Sequence, residues 1–206
     1  GHYASEPPPT MSADKVKTEC KEQMERFHAL SKGGIEPVGI LFSQLAGEPM
    51  PPQVIMQVLQ ISEDDMKAAA AEQKPPTCTL DQFVNAVVSS VDEGDSVDNY
   101  KTVLAEHINR MEVAEKVITE LTPKMKQFHE KAGGELPKIE ALFVDMAPEP
   151  QKGKPMPPGM INALLRVPKD AATCSAEDFI ECFRRNLDAS DTAEKLGKIF
   201  DEHIAK

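Results

Sequence analysis

The sequence lacks tryptophan and contains only two tyrosines, so aromatic residues make up 5% of its 206 residues. A hydrophobic core of this composition must rely mainly on leucine, valine, isoleucine, alanine and the ten methionines. Methionine is flexible and fills irregular gaps, which suits helix packing and adaptable binding surfaces alike. The composition therefore favours an aliphatic core that contains methionine.

Several patterns that carry chemistry are also missing. No apolar run approaches the length of about 18 residues that a membrane-spanning helix needs. The sequence has no C-x-x-C pair of the kind found in zinc ribbons and thioredoxin-like sites. It also lacks a G-x-S-x-G, a P-loop and a dinucleotide-binding glycine pattern. These absences predict a protein that is not an enzyme, has no cofactor and has no transmembrane segment.

Positive charge is scarce, above all in the first half. Residues 1–112 contain 9 Lys and Arg against 18 Asp and Glu, whereas residues 113–206 contain 14 against 16. Because phosphate recognition needs a basic face, this balance argues against nucleic acid and against an anionic membrane surface. A cationic partner for the first half and a simple solvated surface both remain open.

The sequence contains a repeat with a period of about 100 residues. Six segments recur in order: 24–28 as 125–129, Gly33-Gly34 as Gly133-Gly134, Met50-Pro51-Pro52 as Met156-Pro157-Pro158, Thr77-Cys78 as Thr173-Cys174, 81–84 as 177–180, and 106–108 as 202–204. A duplication predicts two copies of one small folding unit. We therefore predict a flexible tail at 1–11, a first repeat at 12–112 and a second repeat at 113–206.

Helix signals divide each repeat into about five helices. A first helical run begins at the N-cap Ser12 and ends at Gly33-Gly34, and no segment alternates in polarity as a strand does. The pattern Thr79-x-x-Gln82 predicts a capping box, and Ser175-x-x-Asp178 occupies the same place in the second repeat. The predicted fold is all-α, with two tandem homologous lobes.

A long helix is predicted to join the two lobes. From Ser96 to Leu121 the sequence contains neither proline nor glycine, and apolar residues continue at helical spacing. The predicted helix is roughly 25 residues long, and Thr122-Pro123 offers a kink or a restart.

Four of the five histidines occupy equivalent positions in the two repeats: His28 with His129, and His107 with His203. If the two histidines of a repeat converge, they are candidate ligands for zinc, copper or haem. Each histidine also continues an apolar helical stripe, and none has the tight spacing of H-E-x-x-H. The favoured interpretation is a structural, partly buried histidine, and no metal site is predicted.

Two helical repeats on a connecting helix, with the helix starts Thr79–Phe83 and Ser175–Phe179, resemble the general plan of EF-hand proteins. The resemblance implies a cation-responsive pair of lobes. No segment matches the calcium-binding loop D-x-[DN]-x-[DN]-G-x5-E, so a protein of this kind would have lost its metal site.

The redox state of the cysteines bears on the compartment. An even count of four allows two disulfides, and a low cysteine density is typical of buried free thiols in a reducing compartment. We therefore favour buried free thiols over disulfides, and with them a cytoplasmic location over a secreted one. The four cysteines are Cys20, Cys78, Cys174 and Cys182.

The leading functional hypothesis is a non-catalytic binding or scaffold protein, in which each lobe offers an apolar groove to a protein partner or peptide. The residues predicted to line these grooves, which core packing would explain equally, are Leu41, Phe42, Met56, Phe83, Val87, Phe143, Met160, Phe179 and Phe183. The alternative is a carrier of a small hydrophobic ligand such as a fatty acid, a sterol or haem. A degenerate EF-hand-like protein is the third hypothesis.

Overall fold

The structure is a computed structural model that describes residues 11–187 and 190–206. Over those ranges it is all-helical, with 69% helix and no strands, so the predicted all-α class is confirmed. The predicted tail lies outside the described residues except for Met11, which begins the first helix. In the part of the chain that is described, no helix is both long enough and apolar enough to cross a membrane.

The chain divides into two compact units, residues 1–112 and residues 113–206. The helices that lie wholly in the first unit are α1 (Met11–Glu19), α2 (Lys21–Ser31), α3 (Ile35–Ala46), α4 (Pro52–Val58), α5 (Glu63–Ala71) and α6 (Leu80–Ser89). A long helix, α7 (Val97–Ala132), begins in the first unit and ends in the second. The second unit continues with α8 (Leu136–Met146), α9 (Met160–Leu165), α10 (Ala176–Asn186) and α11 (Ala193–Ala205).

Most of the predicted helix signals act as expected. Thr79 and Gln82 form the reciprocal capping box at the start of α6, and the Ser175 hydroxyl accepts the N–H of Asp178 at the start of α10. The helical run predicted from the N-cap Ser12 to Gly33 consists instead of two helices. Helix α1 already includes Ser12, so this residue is not its N-cap, and a turn at Cys20 separates α1 from α2.

Helix α7 passes through Pro123 and reaches 36 residues, so it is longer than the predicted helix of roughly 25 residues and does not restart at Thr122-Pro123. Proline removes one backbone donor from a helix. Just before it, the Thr122 hydroxyl donates to the carbonyl of Ile118 at 2.6 Å. Leu121 and Met125 are both buried in the core of the second unit. We conclude that apolar burial on both sides of the proline outweighs the lost bond.

Each unit has its own core, and phenylalanine is concentrated there. In the first unit the ring of Phe83 stacks on Phe27 and Phe42, with centroid distances of 5.2 and 6.1 Å. In the second unit Phe179 has the equivalent position among Phe128, Phe143, Phe183 and Phe200. The few aromatic residues therefore add to the aliphatic core that the composition predicts.

Candidate functional site

His28 connects two loops of the first unit. Its Nε2 donates to the carbonyl oxygen of Cys78 at 2.9 Å, while the Cys78 N–H donates to the carbonyl of Gly33 at 2.9 Å. Gly33 has a φ of +69°, and a β-carbon there would lie 2.2 Å from the Cys78 oxygen. The loop after α2 and the loop before α6 are thus held together by the His28 imidazole and by the Cys78–Gly33 backbone hydrogen bond. The missing side chain of Gly33 allows this close approach.

The second unit repeats this arrangement with a different glycine. His129 Nε2 donates to the carbonyl oxygen of Cys174 at 2.8 Å, and the Cys174 N–H donates to Gly134 at 3.0 Å. Gly134 therefore corresponds to Gly33, and the predicted match of Gly33 with Gly133 is wrong by one residue. The reason is geometric, since the glycine must lie five residues after the histidine to face the same carbonyl.

The other two histidines have partners of different charge. His107 is buried, and its Nε2 donates to the amide oxygen of Gln44 at 2.5 Å. Burial lowers the pKa of His107, and the nearby Arg110 adds to that effect. In the second unit His203 Nε2 donates to the Asp145 carboxylate at 2.6 Å. Corresponding histidines thus face a neutral amide in one unit and a carboxylate in the other.

The candidate metal ligands are not brought together. Within residues 11–187 and 190–206, no group of three or more His, Cys, Asp or Glu side chains is placed to hold a metal ion. His28 and His129 bond to backbone carbonyls, whereas His107 and His203 bond to side chains on α3 and α8. The arrangement favours structural roles for all four.

The four cysteines are buried free thiols. Burial raises the pKa of Cys78 to about 11, and it does the same for Cys174. A thiol of that pKa is almost fully protonated near neutral pH, and the thiolate is the nucleophilic form. These side chains are therefore poor candidates for covalent catalysis.

Most residues predicted to line grooves lie in the cores. Leu41, Phe83, Val87 and Phe179 have no exposed surface, so they cannot contact a partner in the folded protein. Phe42 and Phe183 are also buried, although each borders a cavity. The remaining three are more accessible: Met56 and Phe143 are half-buried, and Met160 is 45% exposed.

An open apolar groove does exist in the first unit, between α3, α4 and the Pro75-Pro76 segment. This α3–α4 groove has a volume of about 950 Å³. Ile40 lies in it with 58% of its surface exposed, and Met50, Ile55 and Met56 contribute further apolar wall. Two of the described residues of its lining, Glu36 and Glu48, are acidic, and none of those described is Lys or Arg.

Of the residues predicted to line grooves, only Met56 lies in this groove. Gly39 and Ile40 were not predicted, and they lie just before the buried pair Leu41 and Phe42 on α3. At Gly39 a β-carbon would lie 3.5 Å from Ile55, which is an ordinary van der Waals distance. An available signal was the unbroken apolar run 38–42, which is wider than one buried stripe requires.

Comparison with protein families, curated proteins and solved structures found no match for this chain.

Proposed function

We propose that this is a non-catalytic binding protein that receives an amphipathic protein segment in the α3–α4 groove of its first unit. The observation that carries the proposal is Ile40, a large aliphatic side chain with 58% exposure inside an already apolar groove. Exposed aliphatic surface of this kind is typical of a partner site, since burying it is favourable by about 25 cal/mol per Å². The high pKa of the thiols supports a role without catalysis.

The charge around the groove selects the chemistry of the partner. The lining contains the carboxylates of Glu36 and Glu48, and residues 1–112 carry twice as many acidic as basic residues, 18 against 9. A segment with an apolar face flanked by Lys or Arg matches this surface, whereas an acidic segment is repelled. The occupant is therefore an amphipathic helix with basic flanks.

We further propose that the two units are tandem copies of one ancestral unit and that only the first kept or acquired the groove. The histidine–carbonyl bonds at Cys78 and Cys174 support common descent, as does the recurring sequence. On α8 the residues that correspond to Gly39 and Ile40 are Glu140 and Ala141. A carboxylate and a methyl group there offer much less apolar surface.

A peptide titration tests the groove. The probe is a short fluorescent helical peptide with a leucine stripe and lysines at both ends, and its binding is followed by fluorescence anisotropy. We expect Ile40→Lys to weaken binding at least about tenfold, because a buried aliphatic contact is lost and a repelling charge is added. The matched control is Val113→Lys, which alters an exposed valine that does not line the groove.

Four results would contradict the proposal. Ile40→Lys could bind the peptide as tightly as the wild type does, or the two lysine variants could weaken binding equally. A peptide with glutamates in place of the lysines could bind as well as the original. Sedimentation analysis could also show a wild-type dimer that Ile40→Lys converts to a monomer, which would assign the groove to a second copy of the chain.

A further inference from the structure

A second cavity of the first unit lies between α3, α6 and the start of α7. This α3–α6 cavity has a volume of about 720 Å³, within the usual range of small-molecule sites. Its wall includes the apolar residues Phe42, Leu45, Val58, Leu59 and Ala86, together with Tyr100. Met50 also borders the α3–α4 groove, but the two sites share no other residue.

The lining of the α3–α6 cavity contains both an apolar and an acidic part. Phe42, Leu59 and Ala86 are buried side chains that border the cavity. The acidic part contains Asp92 and Asp95, and the Asp95 carboxylate accepts the N–H of Asp92 at 2.7 Å. Among the described residues, no Lys or Arg borders the cavity. A ligand here meets apolar surface and negative charge, and it meets no basic residue.

A smaller cavity recurs at the corresponding place in the second unit. It has a volume of about 300 Å³. Seven described lining residues, Phe143, Met146, Ala147, Cys182, Asn186, Asp191 and Leu196, correspond in order to Phe42, Leu45, Ala46, Ala86, Ser90, Asp95 and Tyr100. Cys182 and Asn186 are larger than Ala86 and Ser90, which reduces the space. The recurrence indicates that the cavity belongs to the fold, and its size favours the first unit as the ligand site.

We infer that the α3–α6 cavity binds a small amphipathic cation, with an alkyl chain against the accessible side chains of Leu45 and Val58 and an ammonium group near Asp92 and Asp95. Apolar contact supplies the affinity, and the carboxylates select the charge of the head group. An alkyl carboxylate such as a fatty acid has no basic partner in this lining and is repelled by it. Of the small hydrophobic ligands that a carrier could hold, cationic ones therefore match this lining and fatty acids do not.

The tyrosine content allows a direct test. The chain has no tryptophan and two tyrosines, Tyr3 and Tyr100, so in the Tyr3→Phe variant the fluorescence comes from a residue that lines the cavity. Decyltrimethylammonium and decanoate are titrated separately below the concentrations at which they form micelles. We expect a saturable change with the ammonium compound and at least about tenfold weaker binding of decanoate. Equal binding of the two compounds, or no saturable change with either, would overturn the inference.

Charge variants test the head-group position. In the Tyr3→Phe background, Asp92→Asn with Asp95→Asn should weaken decyltrimethylammonium binding by about threefold to tenfold, because two partly exposed carboxylates are neutralised. The matched control, Glu93→Gln with Asp98→Asn, removes the same charge from residues outside the lining. Equal weakening of binding by both pairs of substitutions would show that only the net charge of the protein matters. It would overturn the placement of the ammonium group near Asp92 and Asp95.

A filling variant tests the apolar part. Ala86→Leu places a larger side chain into the cavity and should weaken binding at least about tenfold, and its thermal unfolding is compared with that of the parent. If Ala86→Leu does not fold, the variant with Asp92→Asn and Asp95→Asn still tests whether the cation binds in the α3–α6 cavity. Ile40→Lys should leave cation binding unchanged, so failure of the groove and failure of the cavity are separable. Unchanged binding in a folded Ala86→Leu protein would place the ligand elsewhere.

Discussion

Gly33 lies directly against the carbonyl oxygen of Cys78, so that a β-carbon on Gly33 would come within 2.2 Å of that oxygen. The same oxygen accepts the Nε2–H of His28 at 2.9 Å. A β-carbon on Gly33 would also lie 2.9 Å from that Nε2 atom. The contact therefore explains why this position needs glycine for space as well as for its positive φ.

Gly33→Ala should destabilise the protein far more than Gly47→Ala does. Both glycines have a positive φ, +69° and +75°, which costs an alanine about 1 kcal/mol. Only at Gly33 would the added β-carbon also overlap backbone atoms. We expect that overlap to lower the free energy of unfolding by at least about 2 kcal/mol more. Denaturant unfolding measures both variants, and equal losses would show that the Cys78 contact is unimportant.

The stability of the first unit should depend on pH through His107. Burial lowers the pKa of His107, so the unfolded chain takes up this proton first as pH falls. The stabilisation that neutral, buried His107 provides is fully present above its unfolded pKa of about 6.5. It is lost as pH falls from there through the lower pKa of His107 in the folded protein. The stability difference between wild type and His107→Gln should thus shrink from about pH 7.5 to about pH 5.5. Parallel stability curves for the two proteins would contradict this.

Gln44→Glu should raise the pKa of His107 above its wild-type value. The change places a carboxylate where the amide oxygen now accepts the imidazole N–H, and an opposite charge favours the imidazolium. Glutamate has the same side-chain length as glutamine. In the second unit the carboxylate of Asp145 already accepts a hydrogen bond from His203 in this way. Titration of the His107 ring proton by NMR measures the shift. Gln44→Met is the uncharged control, and an equal rise there would rule out the charge as the cause.

Asn162 should be essential for the segment that follows α9. It is buried, and its Nδ2 donates to the carbonyl oxygens of Pro168 at 2.9 Å and Ala171 at 3.2 Å. Asn162→Leu leaves these carbonyls without their donor and should cost about 2 kcal/mol of unfolding free energy. Asn109→Leu changes an exposed asparagine and should stay within about 0.5 kcal/mol. Similar losses in both variants would contradict the role of the bonds.

The sequence predicted helix positions well wherever the signal is local. The Thr79–Gln82 capping box and the Ser175 cap depend on bonds between residues three apart, so the local sequence contains all that is needed. The same reasoning failed at Pro123, where the local cost of a proline is outweighed by burial of Leu121 and Met125. Only the packing of distant segments could show this.

The site was less predictable than the helices. The apolar residues Phe83 and Phe179 looked suitable for a groove, yet both are completely buried, while Ile40 was overlooked and is exposed. A hydrophobic side chain has the same pattern in sequence whether it fills a core or borders an open groove. The difference depends on whether another segment covers it, which periodicity does not reveal.

The sequence by itself determined the helical class, the helix caps at Thr79 and Ser175 and the acidic character of the first unit, because these depend on residue type and on neighbours within one turn. Tertiary structure alone decided that Gly33 and Gly134 correspond, that His107 faces Gln44 while His203 faces Asp145, and that Ile40 stays uncovered. Each of these outcomes depends on contacts between residues far apart in the chain, and such contacts form only when the helices pack.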